Sequence, residues 1–255
     1  MWNQWKTDEY SGMIAETITF AGYGGDRIRA YYSRPIGGGP YPGVIILPHM
    51  PGWDEVNREV ARRFSEHGFA AICPNIFERF GHDKPALVSG KMREAGGVSD
   101  DSVMGDCEGA LSFITSQPNS NGKAGVIGMC SGGRHSFLAA CRVKGLSAAV
   151  DCWGGRVVMA PSELTANCPV APIDLTSQLG CPLLGIFGND DMAPTPEQVD
   201  LHEAELKKHG KEYEFHRYDG AGHAFWSYDR EVYRYAQAMD SWDKTLAFFD
   251  RHLRA

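Results

Sequence analysis

A chain of 255 residues, 43% of them hydrophobic, is long enough to bury a sizeable core in one large domain. Its formal charge of −7, from 25 basic against 32 acidic residues, argues against nucleic acid or an anionic membrane as a partner. No apolar run approaches the ~20 residues of a membrane span, residues 1–9 lack the basic flank and apolar core of a signal peptide, and seven cysteines without framework spacing fit a reducing cytoplasm.

In chain order, residues 17–20 and 28–33 read as a hairpin around Gly24 and Gly25, and a Gly-Pro turn at 36–40 leads into an apolar strand at 43–47. Residues 55–67 place Val56, Val60, Ala61 and Phe64 at helical spacing and stop at Gly68, after which 69–73 is again an apolar strand. Residues 74–97 carry no clear period and predict a cap or pocket wall. A helix at 102–117 then precedes a strand ending near Met129, and a further apolar strand follows at 146–153. Residues 154–179 are irregular. The last units are a strand at 182–188, a helix at 197–209, a strand at 213–218 and a C-terminal helix at 232–253. Strands alternating with helices predict an α/β domain over residues 1–255, with a mostly parallel sheet, helices on both faces and ligands bound at the strands' carboxyl ends.

The most informative stretch is 123–135. There Cys130 stands between Gly128 and the pair Gly132-Gly133, where a strand gives way to a helix. This is the G-x-S-x-G nucleophile elbow with cysteine in the serine position. The turn lifts the nucleophile clear of the sheet, and its glycines are needed because side chains there would strike neighbouring backbone. The sulfur also falls at a helix N-terminus, where the helix dipole favours negative charge. A phosphate-cradling loop is the competing reading, but it lacks the Lys-[Ser/Thr] ending of a P-loop and the third spaced glycine of a dinucleotide site. The other six cysteines lie in or beside apolar runs without C-x-x-C spacing, which gives no support to a zinc or dithiol site.

A nucleophile needs a base and a group that orients the base. Both follow in the chain order nucleophile, acid, histidine. The strand ending at Gly188 runs into Asn189-Asp190-Asp191, so the acid is Asp191 or Asp190; the loop after the 213–218 strand presents His223 between glycine and alanine. His202, His209 and His216 share an even spacing with His223 but cross from helix into strand, so no common metal-binding face follows.

With Cys130, an aspartate after Gly188 and His223 in place, the chain resembles the dienelactone hydrolase family, a cysteine-using branch of the α/β-hydrolase fold. The resemblance spans nearly the whole chain and is most specific at 128–133, at the Gly188-x-x-Asp191 turn and at 213–225. It favours Asp191 over Asp190, and it implies an oxyanion hole made by the backbone N–H groups of Ser131 and Met50. It also exposes two departures. Where well-known members carry a glutamate beside the oxyanion loop this chain has His49, expected either to brace the loop or to pair with Cys130. Where they carry an arginine shortly after the catalytic histidine, this chain has Trp226 and Ser227. Arg79 and Arg93 remain as candidate substrate arginines, and Trp53, Phe80, Trp153 and Trp226 as candidate aromatic pocket residues.

The resulting expectation is a Cys-His-Asp hydrolase of a small-molecule ester or lactone with a bulky or aromatic substituent. It needs no cofactor or metal and acts as a monomer or small homo-oligomer. An acyltransferase or lyase on the same triad, or a non-catalytic reactive-thiol protein, are the rival expectations.

Overall fold

The computed structural model describes residues 12–50 and 52–254; the 1–9 segment read above lies outside them. Eight strands form one sheet: β1 (Met13–Ala21), β2 (Arg27–Pro35), β3 (Tyr41–Leu47), β4 (Ala70–Pro74), β5 (Ser120–Met129), β6 (Ala148–Cys152), β7 (Leu183–Gly188) and β8 (Tyr213–Tyr218). Their spatial order is β1-β2-β4-β3-β5-β6-β7-β8. The first two pairings, β1 with β2 and β2 with β4, are antiparallel, and the rest are parallel. This is the α/β-hydrolase fold, with the mostly parallel sheet predicted by the alternation of elements.

Helices α1 (Glu55–Glu66), α2 (Pro85–Glu94), α3 (Asp100–Thr115), α4 (Ser131–Arg142), α5 (Pro196–Lys208) and α6 (Tyr235–Leu253) cover both faces. The strand pleat sorts the core into two layers. Along β3, Ile45 and Leu47 join a cluster with Val103 and Met104 of α3 and Phe137 of α4, while Val44 and Ile46 join Phe64 of α1 and Phe249 of α6. Both sides of β3 are therefore buried, which is why it reads as an unbroken apolar run rather than an alternating one. On the α1/α6 face, Phe64 meets Trp242 at 4.9 Å and Phe249 at 5.7 Å between ring centroids, so these two helices dock through aromatic packing.

The 74–97 segment is more regular than its sequence suggests, since it contains a short 3-10 turn at Glu78–Phe80 and the helix α2. Pro85 at the first helical position starts α2, and Val88 and Met92 bury its inner side. No helix among the described residues is long and apolar enough to cross a membrane.

Candidate active site

The elbow lies between β5 and α4, at the carboxyl edge of the parallel strands. Cys130 adopts φ 55° and ψ −122°, a backbone conformation that costs a non-glycine residue on the order of 1–3 kcal/mol. Its N–H donates to the Cys152 carbonyl at 3.0 Å, tying the turn to the end of β6. The flanking glycines are required by close approach: a Cβ on Gly128 would stand 1.9 Å from the Gly132 carbonyl oxygen, and one on Gly132 would stand 2.0 Å from that of Leu47. The Cys130 corner, the start of α4 and the end of β3 are packed backbone to backbone.

Glycine also joins the acid and histidine loops. A Cβ on Gly188, at the end of β7, would lie 2.2 Å from the Ala221 carbonyl oxygen; the Asp190 N–H donates to that carbonyl at 3.0 Å and the Asn189 N–H to that of Tyr218 at 2.9 Å. Asp191 is buried, 2% exposed, and its Oδ2 lies 2.8 Å from Nδ1 of His223. Its other oxygen accepts from the Ala193 N–H at 2.8 Å, which fixes the carboxylate plane. Asp190, the alternative acid, makes no such bond to His223 and faces the wall of the adjoining cavity. Burial would lower the pKa of His223, but hydrogen bonds to Asp191 and Cys130, and the negative charge of both, outweigh it and raise it to about 10.

Ser131 and Met50 border the same space as Cys130, and among the described residues no carbonyl or side chain takes up either N–H. His49 is held from both sides. Its Nε2 is 3.0 Å from Asp54 Oδ2 and its Nδ1 accepts from the Asn57 amide at 3.3 Å. Asp54 is the N-cap of α1, accepting from the Asn57 N–H. Burial would raise the Asp54 carboxyl, yet hydrogen bonds from His49 and Asn57 hold it below the usual range. With both ring nitrogens engaged by Asp54 and Asn57, His49 ties the 48–50 loop to the start of α1.

Cys130 and His223 stand between two cavities. The larger, about 690 Å³, is walled by Phe77, Met92, Arg93, Arg134, Arg156 and Met192 among others. The smaller, about 90 Å³, is lined by His49, Val56, Trp153, Trp226 and Tyr228 among others. Among the described residues, four non-glycine positions have left-handed backbone, Cys130, Trp153, Arg156 and Ala224, and all four border one or other cavity. Strained backbone of this kind is retained where a site demands it.

Three expected contacts do not reach either cavity. The Arg79 guanidinium is taken by Asp106 at 2.8 and 2.9 Å and by Asp26 at 2.7 Å. Phe80 packs against the main core. Trp53 donates its indole N–H to the Cys73 carbonyl at 2.9 Å, lies under Arg58 at 4.4 Å, and lines a separate cavity of about 340 Å³. Arg93, Trp153 and Trp226 do border the site. Trp153 stacks edge-on to Trp226 at 5.4 Å, and Trp226 is anchored by its N–H to Ser241 Oγ at 2.8 Å.

Sequence reasoning passed over Arg134. It follows the elbow glycines, borders the large cavity, and makes a buried two-pronged bond to Asp100 at 2.6 and 2.9 Å. Its position one residue past Gly133, in the first turn of α4, was the available signal. Arg156 and Met192 were also missed; neither belongs to a recognisable motif, and Met192 is 82% exposed at the cavity mouth. Among the described residues no group of three His, Cys, Asp or Glu side chains is placed to hold a metal ion.

Residues 28–253 match the model of the dienelactone hydrolase family. The chain is 32% identical over 247 residues to a Salmonella typhimurium protein named "Putative carboxymethylenebutenolidase", covering 94% of this chain and 89% of that one. It is 29% identical to a Bradyrhizobium protein named "Probable 2-oxo-3-(5-oxofuran-2-ylidene)propanoate lactonase", covering 94% and 98%. A Klebsiella pneumoniae crystal structure described as a "Putative Dienelactone Hydrolase" superposes with a TM-score of 0.84 at 29% identity, over 94% of this chain and 99% of that one.

Proposed function

The chain belongs to the dienelactone hydrolase family and is thus a lactone or ester hydrolase, and from that premise we propose that it works through a Cys130-His223-Asp191 triad and a thioester acyl-enzyme. The observation that carries this reading is the 2.8 Å pairing of buried Asp191 with His223, in a site where His223 and the elbow residue Cys130 line the same two cavities.

In the first half-reaction Cys130 Sγ attacks the ester or lactone carbonyl carbon. A C–S bond forms, and the oxyanion rests on the Ser131 and Met50 N–H groups, each such donor being worth roughly 3 kcal/mol of transition-state stabilisation. The C–O bond then breaks, with the proton on His223 passing to the departing alkoxide. In the second half, water gives a proton to His223 and its oxygen to the acyl carbon. The C–S bond breaks, and the acid leaves with the thiolate restored. Asp191 keeps the imidazole in one orientation and stabilises its cationic form. The substrate is an ester or lactone with an aromatic or bulky apolar portion, which the Phe77 and Met92 walls of the large cavity suit.

Turnover of an ester and lactone panel by the wild type, Cys130→Ala, His223→Ala and Asp191→Asn tests the proposal. Losses of about 10³-fold or more are expected for the first two and a smaller loss for the third. Unchanged turnover in Cys130→Ala refutes it, and fastest turnover on small dianionic lactones refutes the substrate preference.

A further inference from the structure

An ester carbonyl held over a nucleophile projects two substituents, the acyl chain and the alcohol, and they leave in opposite directions from the reacting carbon. The two cavities that Cys130 borders are very unequal, about 690 Å³ against about 90 Å³, and share only Met50, Cys130 and His223. An apolar cavity of about 150 Å³ is what a benzene ring needs, so the smaller chamber is below aryl size but roomy for several waters or a short alkyl group.

Its wall also suits an occupant that changes during the reaction. Ser227, Glu59, Arg63 and Arg230 give it polar edges, while Val56 and Trp226 give it apolar ones. Arg63 is held against Glu59 at 3.2 Å and over the Tyr228 ring at 5.6 Å, so the outer edge of the chamber is cross-linked by side chains. The alcohol must depart and water must take its place beside His223, whereas the acyl group stays bonded to Cys130 through both half-reactions. The water-sized compartment fits the first requirement and the large one fits the second.

We propose that the small chamber is a leaving-group and water site that restricts the enzyme to lactones and to esters of short alcohols, with all bulk on the acyl side. The proposal rests on the cysteine-hydrolase reading above and adds the direction in which the substrate lies. For a lactone, whose alcohol stays tethered to its acyl part, the restriction falls on substituents at the ring carbon bearing the ring oxygen.

Methyl phenylacetate and benzyl acetate provide the test, because they are isomers that exchange the same aromatic bulk across the ester oxygen and release alcohols of similar acidity. The wild type is expected to hydrolyse methyl phenylacetate with a kcat/KM at least about tenfold higher than benzyl acetate. Val56→Ala, which enlarges the small chamber, is expected to narrow the ratio, and Val56→Phe to widen it. Equal or reversed preference with turnover that still requires Cys130 overturns the directional proposal alone. A ratio that neither Val56 variant moves also overturns it. Turnover that survives Cys130→Ala, or hydrolysis of neither isomer, overturns the proposal together with the reading on which it rests.

Discussion

At the scale of single residues the account turns on where His223 keeps its proton. Its pKa is raised to about 10 by Asp191 and Cys130 against the opposing effect of burial, which favours the imidazolium at neutral pH, the form that the proposed mechanism needs as acid for the leaving alkoxide. The folded pKa lies above the ordinary unfolded value of about 6.5. The stability that this pairing contributes is therefore complete below that value and is lost as pH rises through about 10. Activity that depends on the imidazolium should fall over the same alkaline range. Asp191→Asn removes one of the two negative partners and should move the alkaline limb of kcat/KM to lower pH; an unmoved limb in that variant contradicts the assignment. His49 makes a contrasting prediction. Since its nitrogens are spent on Asp54 and Asn57, His49→Ala should leave the pH profile of Cys130 alkylation unchanged while loosening the start of α1. A shifted alkylation profile would mean that His49 acts on the thiol directly.

At the scale of elements, the site is assembled by backbone contacts that glycine alone permits. Gly132→Ala would drive a Cβ to 2.0 Å from the Leu47 carbonyl oxygen, where neither β3 nor α4 can yield without moving the elbow. A destabilisation of about 3 kcal/mol or more is expected by urea denaturation, and a variant as stable as the wild type would show that the elbow is looser than described. The same rigidity explains why this part of the site could be read from the sequence. Gly128, Cys130 and Gly132 fall within five residues and Gly188 and Asp191 within four, so local spacing carries the motif, although Gly132 answers to Leu47 and Gly188 to Ala221 far along the chain. The helix α2 could not be read in this way. Gly81, Pro85, Gly90 and Gly96 interrupt any period over 74–97, and the helix forms because Pro85 starts it and Val88 and Met92 find the core, a tertiary effect without a local signature.

At the scale of the whole molecule, the sheet order was legible only as a class. Alternating apolar runs and helical spacings implied a parallel sheet, and Gly24 and Gly25 marked the antiparallel β1–β2 hairpin, but nothing local specified the antiparallel pairing of β2 with β4 or the placement of β4 between β2 and β3. Substrate contacts were least legible, because a long side chain is claimed by partners remote in sequence. Arg79 is taken by Asp106 and Asp26, both far from it along the chain, whereas Arg93, in the last turn of α2, reaches the cavity. Arg93→Ala should therefore alter KM for substrates with an acidic acyl side, and Arg79→Ala should lower stability with little effect on KM; the reverse pattern in steady-state kinetics would reassign the two.

The central claim is the covalent acyl-enzyme on Cys130. Intact-protein mass spectrometry after brief mixing with an aryl-substituted acyl ester tests it most directly, with wild type, Cys130→Ala and His223→Ala compared side by side. The predicted result is a mass increase equal to the acyl group less the displaced thiol hydrogen, transient in the wild type, persistent in His223→Ala because deacylation lacks its base, and absent from Cys130→Ala. An adduct that forms without Cys130, or wild-type turnover with no adduct in either Cys130-containing protein, would contradict the mechanism.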